Sequence, residues 1–292
     1  MATLNEWIAG SRPRTLQVAV APVAAGTGSA YTFHHANLGY ALLALLVALL
    51  LQIGVNFAND YSDGIRGTDD SRVGPVRLVG QGLATAPNVK LATFGCFFAA
   101  ALCGLALVAL SGKFWLLLLG VLSIIAAWKY TGGKHPYGYL GLGEVFVFVF
   151  FGLTATLGTT YTQAGHVDSA TWAAAVGIGA IACAILVANN LRDIPDDTVS
   201  GKKTLAVRIG DRSTRLLYVA LLILALEMVM VAAISYPWAG IAALSLLLTI
   251  RPVLVVLRGT QGHDLIPVLG GTGITILTYG VLFGLGLAYR TI

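Results

Sequence analysis

Long apolar runs broken by short polar stretches repeat along this whole chain. "YALLALLVALLLQIGV", residues 40–55, is one of the purest. A helix crossing a bilayer core needs about 20 such residues, and nine stretches qualify: 15–33, 38–58, 88–111, 114–131, 141–162, 170–190, 213–234, 237–257 and 266–288. Pro22, Pro237 and Pro252 fall in or beside two of them, which a membrane helix tolerates where neighbours re-satisfy the backbone. The short alternating segments of a transmembrane barrel are absent. The pattern predicts an all-α polytopic membrane protein of nine helices. The polar opening "MATLNEWIAGSRPRTL" lacks the apolar core of a signal peptide and is expected to belong to the mature protein.

Composition agrees. Only 11% of residues are charged, less than half the share of a soluble domain, about 25%. Charge placement then orients the chain. With residue 1 on the cytoplasmic side, all of the 18 Lys and Arg residues except Lys113 and Arg290 fall on that side, as the positive-inside rule requires. The C-terminus is expected outside, in a cell membrane. The cytoplasmic loops after the second, fourth and sixth helices are the long, polar ones, so function is expected there. Cys96, Cys103 and Cys183 lie inside apolar runs without a CxxC spacing and read as small buried hydrophobes.

The chain holds 13 acidic residues, and several gather at two helix ends. "GVNFANDYSDGIRGTDD" (54–70) closes the second helix, and "VANNLRDIPDDTVSGKKTLAVRIGD" (187–211) closes the sixth. Asn56 and Asp60, Asn59 and Asp63, and Asn189, Asp193 and Asp197 each step by four. That spacing stacks side chains on one helix face, about 6 Å apart. The two helices run parallel, as equivalent parts of a duplicated four-helix unit (about 15–131 and 141–257, with 266–288 left over) in one domain spanning 1–292. Gathered carboxylates repel one another in a partly dry site. A hard divalent cation with oxygen ligands relieves this, and Mg²⁺ typically takes one or two carboxylates plus phosphate oxygens. The bases between them, Arg66, Arg72, Arg77, Arg192, Lys202 and Lys203, suit phosphate oxygens. The parts point to a diphosphate held by Mg²⁺ at a membrane surface. For Asp69, Asp70 and Asp196, solvated loop charge is an equal reading. An ion-coupled transporter is the alternative of another class, although its binding groups belong near the midplane. Nothing points to nucleic acid.

"NDYSDGIRGTDD" and "NNLRDIPDDTVSGKKTLAVRIG" resemble the two aspartate-rich motifs of the UbiA superfamily of intramembrane prenyltransferases. Asn59 and Asp63 match the first motif, whose third place holds Gly67. Asp193 and Asp197 match the second. "SRPRTL", "RVGPVRLV", "PYGYLGLGE" and "NNLRD" are similar to the branch acting on 1,4-dihydroxy-2-naphthoate. The resemblance implies one helical bundle with a central cavity open to the cytoplasm and to lipid. It implies transfer of a polyprenyl group from polyprenyl diphosphate to 1,4-dihydroxy-2-naphthoate, with loss of CO2 and diphosphate, in menaquinone biosynthesis. It places Mg²⁺, with Mn²⁺ able to substitute, on Asn59, Asp63, Asp193 and Asp197. Arg14, Arg66, Arg192, Lys202 and Lys203 are then expected on the diphosphate. Asp60 is expected to help deprotonate a ring hydroxyl or equally to be another metal ligand, and Tyr130 and Tyr137 to face a carbocation, with interfacial anchoring an equal reading for Tyr137 and Tyr139. Lys134 is expected on phosphate or the naphthoate carboxylate. Other aromatic acceptors remain the alternative within the family.

Overall fold

The structure, a computed structural model, describes residues 2–67 and 76–289. Asp69, Asp70, Arg72 and Arg290 lie outside the described residues. Those residues form helices and connecting turns, with no strand among them. In chain order the α-helices are α1 (Leu4–Gly10), α2 (Gln17–Thr32), α3 (Leu38–Gly64), α4 (Ala86–Ser111), α5 (Leu116–Lys129), α6 (Gly143–Val147), α7 (Ala155–Ala164), α8 (Ser169–Val199), α9 (Leu205–Ser235), α10 (Ile250–Leu257) and α11 (Ile266–Ala288). A π-helical stretch, Phe148–Thr154, joins α6 to α7, and a 3₁₀ stretch, Pro237–Thr249, leads into α10.

Seven of the nine expected spans are helices long and apolar enough to cross a membrane. The other two are shorter than expected. α2 has 16 residues because a 3₁₀ turn at Pro13–Thr15 precedes it, and α5 has 14. At 1.5 Å per residue, 16 residues give about 24 Å, short of the roughly 30 Å core.

α8 sits at the centre: 78% of its apolar window is buried, against 22% for α3. Its start is fixed by a capping box. Asp168 accepts from the Thr171 N–H at 2.8 Å, and the Tyr236 hydroxyl donates to the same carboxylate at 2.8 Å. α2 and α11 approach closely because small residues face each other, the usual means by which membrane helices associate. A Cβ built on Gly28 falls 2.2 Å from the Gly284 carbonyl oxygen. Tyr279 and Phe283 are buried on the same helix.

α3 ends at Gly64, and Gly67 follows in left-handed backbone, φ 68°. Glycine takes that conformation without the steric cost a side chain brings. Residue 67 therefore lies beyond the helix that carries Asn59 and Asp63.

Candidate functional site

The polar rungs of α3 are held from three directions. Asn56 donates to the Ser11 carbonyl at 2.8 Å and to the Thr15 hydroxyl at 2.9 Å, and Gln52 donates to the same hydroxyl at 3.1 Å. These bonds pin the segment before α2 against α3. The Thr131 hydroxyl donates to Asn59 Oδ1 at 2.8 Å. Asp63, buried, accepts from the Tyr139 hydroxyl and lies 3.4 Å from Lys202 Nζ and 3.8 Å from Arg77.

The end of α8 is organised around Arg192. Its guanidinium grips Asp193 in a two-pronged bond of 2.6 and 2.8 Å and donates to Asn189 Oδ1 at 2.9 Å. Asp197 is buried beside Thr204, whose hydroxyl donates to it at 3.5 Å. Lys202 ties the two helix ends together. Its N–H donates to the Asp197 carbonyl at 2.8 Å while its ammonium reaches Asp63 of α3. The ends of α3 and α8 are thus joined through Lys202.

Asn59 of α3 and Asn189 and Arg192 of α8 border a cavity of about 1450 Å³, larger than the roughly 300–1,000 Å³ of most small-molecule sites. Arg12, Arg14, Asn56, Asn59, Asn189 and Arg192 line one end, and the long remainder is mostly aliphatic and aromatic. Arg12 adopts positive φ, 54°, unusual for a residue with a side chain. Tyr130 and Tyr137 also line the cavity, edge to face with centroids 5.5 Å apart. Tyr137 stacks on Phe146 at 3.9 Å and donates to the Ala126 carbonyl at 2.8 Å. Burial, reinforced by Asp63, pushes the Tyr139 hydroxyl well above its usual range, so it stays a proton donor at neutral pH. Tyr137 is raised in the same way, by burial and by Tyr130.

Several expected site residues are placed elsewhere. The Asp60 carboxylate accepts from the backbone N–H groups of Leu78 at 2.6 Å and Val79 at 3.0 Å. It anchors the returning loop, whose Leu78 is fully buried with Phe57 and Val89. Arg66 donates to the carbonyls of Thr131 at 2.7 Å and Gly133 at 2.6 Å, stapling the α5–α6 loop to α3. Lys134 and Lys203 have exposed side chains outside the cavity wall. Tyr139 lies beside Asp63 and Lys202, a placement that no local sequence pattern announces. Its carbonyl accepts from the Lys203 N–H at 3.0 Å and its ring lies under the Lys202 ammonium at 4.6 Å. Replacing Asp60 by Ala is expected to leave one buried and one half-buried N–H group unmet and to lower stability by about 1–3 kcal/mol, read as the thermal midpoint in detergent. A loss of turnover at unchanged stability would instead mark Asp60 as a proton-transfer group.

The donors Asn59, Asp63, Asp193 and Asp197 are all oxygens, split between two helix ends. No three His, Cys, Asp or Glu side chains converge among the described residues. Such a set fits a hard cation that completes its shell with oxygens from an incoming diphosphate.

Residues 19–265 match the UbiA prenyltransferase family. The chain is 52% identical to the 1,4-dihydroxy-2-naphthoate octaprenyltransferase of Mycobacterium tuberculosis, over 99% of both chains. It is 38% identical to the Escherichia coli enzyme of the same name, over 96% of this chain and 94% of that one. A solved UbiA homologue from Archaeoglobus fulgidus, bound to DMAPP and Mg²⁺, superposes with TM-score 0.69 at 15% identity, over 97% of this chain and 99% of that one.

Proposed function

The chain belongs to the UbiA prenyltransferase family, and we propose that it transfers a polyprenyl group from polyprenyl diphosphate to 1,4-dihydroxy-2-naphthoate in menaquinone biosynthesis. The observation that carries this reading is a largely apolar cavity whose polar end lies between two acidic helix termini. An ion-coupled transporter fits this polarity poorly, because its sites lie near the midplane. The relatives named for the same reaction span nearly the whole chain.

In this reading the C–O bond of the prenyl diphosphate breaks and the diphosphate leaves with the electron pair. The ring carbon bearing the carboxylate takes the allylic group, and CO2 is lost. Asn59, Asp63, Asp193 and Asp197 would hold Mg²⁺, which supplies Lewis-acid neutralisation of the leaving group. The protein's own cations do the rest of that work. Lys202 and Arg192, already at the two acidic ends, and Arg14 at the cavity wall hold diphosphate oxygens. Lys203 and Lys134 point to solvent and are left out of this grip, and Arg66 serves by fixing the α5–α6 loop. Tyr130 and Tyr137 line the cavity, where a transient cation gains from their π systems. The aliphatic wall keeps water from that cation. We place the polar end on the cytoplasmic side of the cell membrane, where the Lys and Arg residues cluster.

Purified protein in detergent with Mg²⁺, labelled octaprenyl diphosphate and a panel of aromatic acceptors tests the reading. Product is expected with 1,4-dihydroxy-2-naphthoate and is lost on chelation. Preference for 4-hydroxybenzoate or homogentisate would reassign the acceptor.

A further inference from the structure

The proposed reaction gives no part to Glu144, the last residue of "PYGYLGLGE". It lies in the first turn of α6, is buried and stands outside the cavity wall. Its Oε1 accepts from the Asn190 amide at 2.9 Å, and its Oε2 meets no hydrogen-bond partner among the described residues. What the bundle uses of this side chain is one accepting oxygen, turned toward α8.

α6 has five residues and runs straight into the π-helical stretch Phe148–Thr154. A helix that short does not hold itself together, so its place is set by what grips it. α8 grips it twice. The Cys183 thiol donates to the Glu144 carbonyl at 3.1 Å, and Asn190 donates to the carboxylate. Cys183 and Asn190 are seven apart, two turns along one helix face. The residues on either side of this clamp support the two tyrosines of the cavity wall. A Cβ added to Gly143 would lie 3.4 Å from the Tyr130 ring, so that ring packs over bare backbone next to Glu144. Phe146, two residues on, stacks on Tyr137 at 3.9 Å. The other end of the loop has its own ties, from Arg66 to Thr131 and Gly133 and from Lys203 to Tyr139. Glu144 therefore governs the aromatic end of the loop and not the end beside Asp63.

We propose that Glu144 is a positioning residue for prenyl transfer: by tying the start of α6 to α8, it holds Tyr130 and Tyr137 at the cavity wall. The inference rests on the reading in which those two rings stabilise the allylic cation. The bond that Glu144 supplies needs an accepting oxygen and no charge, since its only side-chain partner among the described residues is an amide. Without that bond the short helix shifts and carries the rings with it, while the ends of α3 and α8 keep their own contacts. A cation gains from a π face only within about 6 Å of the ring centre, so a small shift tells on the rate.

The test sets kcat for prenyl transfer to 1,4-dihydroxy-2-naphthoate beside the Mg²⁺-dependent affinity for a non-reacting prenyl thiodiphosphate. In Glu144→Ala, kcat is expected to fall by about tenfold or more, the scale on which one or two π contacts to a cation act. Affinity is expected to stay within about twofold, because a group felt only in the transition state moves kcat and not binding. Asn190→Ala, which removes the donor from the α8 side, is expected to match it, with the double variant little worse than either. Glu144→Gln keeps an accepting oxygen and is expected to restore most of kcat. A Glu144→Gln as slow as Glu144→Ala would overturn the proposal, because charge or a proton would then be what the acid supplies. Unchanged kcat in both alanine variants would also overturn it, as would losses that add independently in the double variant. Loss of binding together with turnover would overturn it too, by marking the pair as a support of the whole fold. Absence of turnover in the unsubstituted protein would instead overturn the functional reading beneath it.

Discussion

Asp63→Asn is expected to lower kcat/KM for prenyl transfer by about a thousandfold, with the protein still folded. Asp63 is buried, yet it sits at the end of an apolar helix beside two cations, Lys202 at 3.4 Å and Arg77 at 3.8 Å. A buried carboxylate is expensive unless paired, so its presence calls for a role beyond packing. In the proposed reaction its negative charge holds the cation that neutralises the departing diphosphate. Losing one group that stabilises developing charge typically costs 10²–10³ in rate, and metal chemistry adds to this. Asparagine keeps the shape and one oxygen and can still accept from Tyr139, so the thermal midpoint is expected to change far less than the rate. Asp193→Asn is expected to behave alike, since Arg192 bridges it to Asn189 in a comparable setting.

Lys202→Met is the second large effect, and it strikes both activity and stability. Lys202 is buried, its ammonium lying between Asp63 and the face of Tyr139 at 4.6 Å. Methionine fills similar space without charge. It takes one near cation away from Asp63, and removing one member of a buried pair costs up to about 3–5 kcal/mol. The Arg77 contact and the Tyr139 bond, which stay, are expected to keep the loss below that ceiling. Turnover is expected to fall about a hundredfold, because the same ammonium is proposed to meet diphosphate oxygens. Lys203→Met, at the neighbouring exposed position, is expected to change neither quantity appreciably. Steady-state kinetics and thermal unfolding of the two variants side by side check this pair.

That contrast between adjacent lysines shows where sequence reasoning reaches its limit. The steps of four from Asn59 to Asp63 and from Asn189 through Asp193 to Asp197 are legible, because helix geometry turns spacing into a shared face. The apolar runs locate the helices for the same reason: periodicity and length are local properties. Loops obey no such period. Lys202 points inward and Lys203 outward because the chain turns at Gly201, φ 73°, and the two lysine N–H groups are then tied to the carbonyls of Asp197 and Tyr139. Asp60 looks like a site carboxylate from its place beside Asn59. Its direction depends on Leu78 and Val79 returning to α3, a contact across 18 residues that no local pattern announces. The same applies to Tyr139, which gains its role only when the α5–α6 loop, α3 and the start of α9 converge. The shortness of α2 is also hidden, since apolar composition does not reveal where a 3₁₀ turn replaces the first helical turn.

The central claim is that the ends of α3 and α8 hold one diphosphate jointly. It is tested most directly by the Mg²⁺-dependent affinity for a non-reacting prenyl thiodiphosphate in Asp63→Ala, Asp193→Ala and the double variant. Groups acting as one unit are non-additive. Each single substitution is therefore predicted to abolish most of the Mg²⁺-dependent binding, with the double variant little worse than either. Losses that add independently, or binding that survives intact in one single variant, would contradict the account.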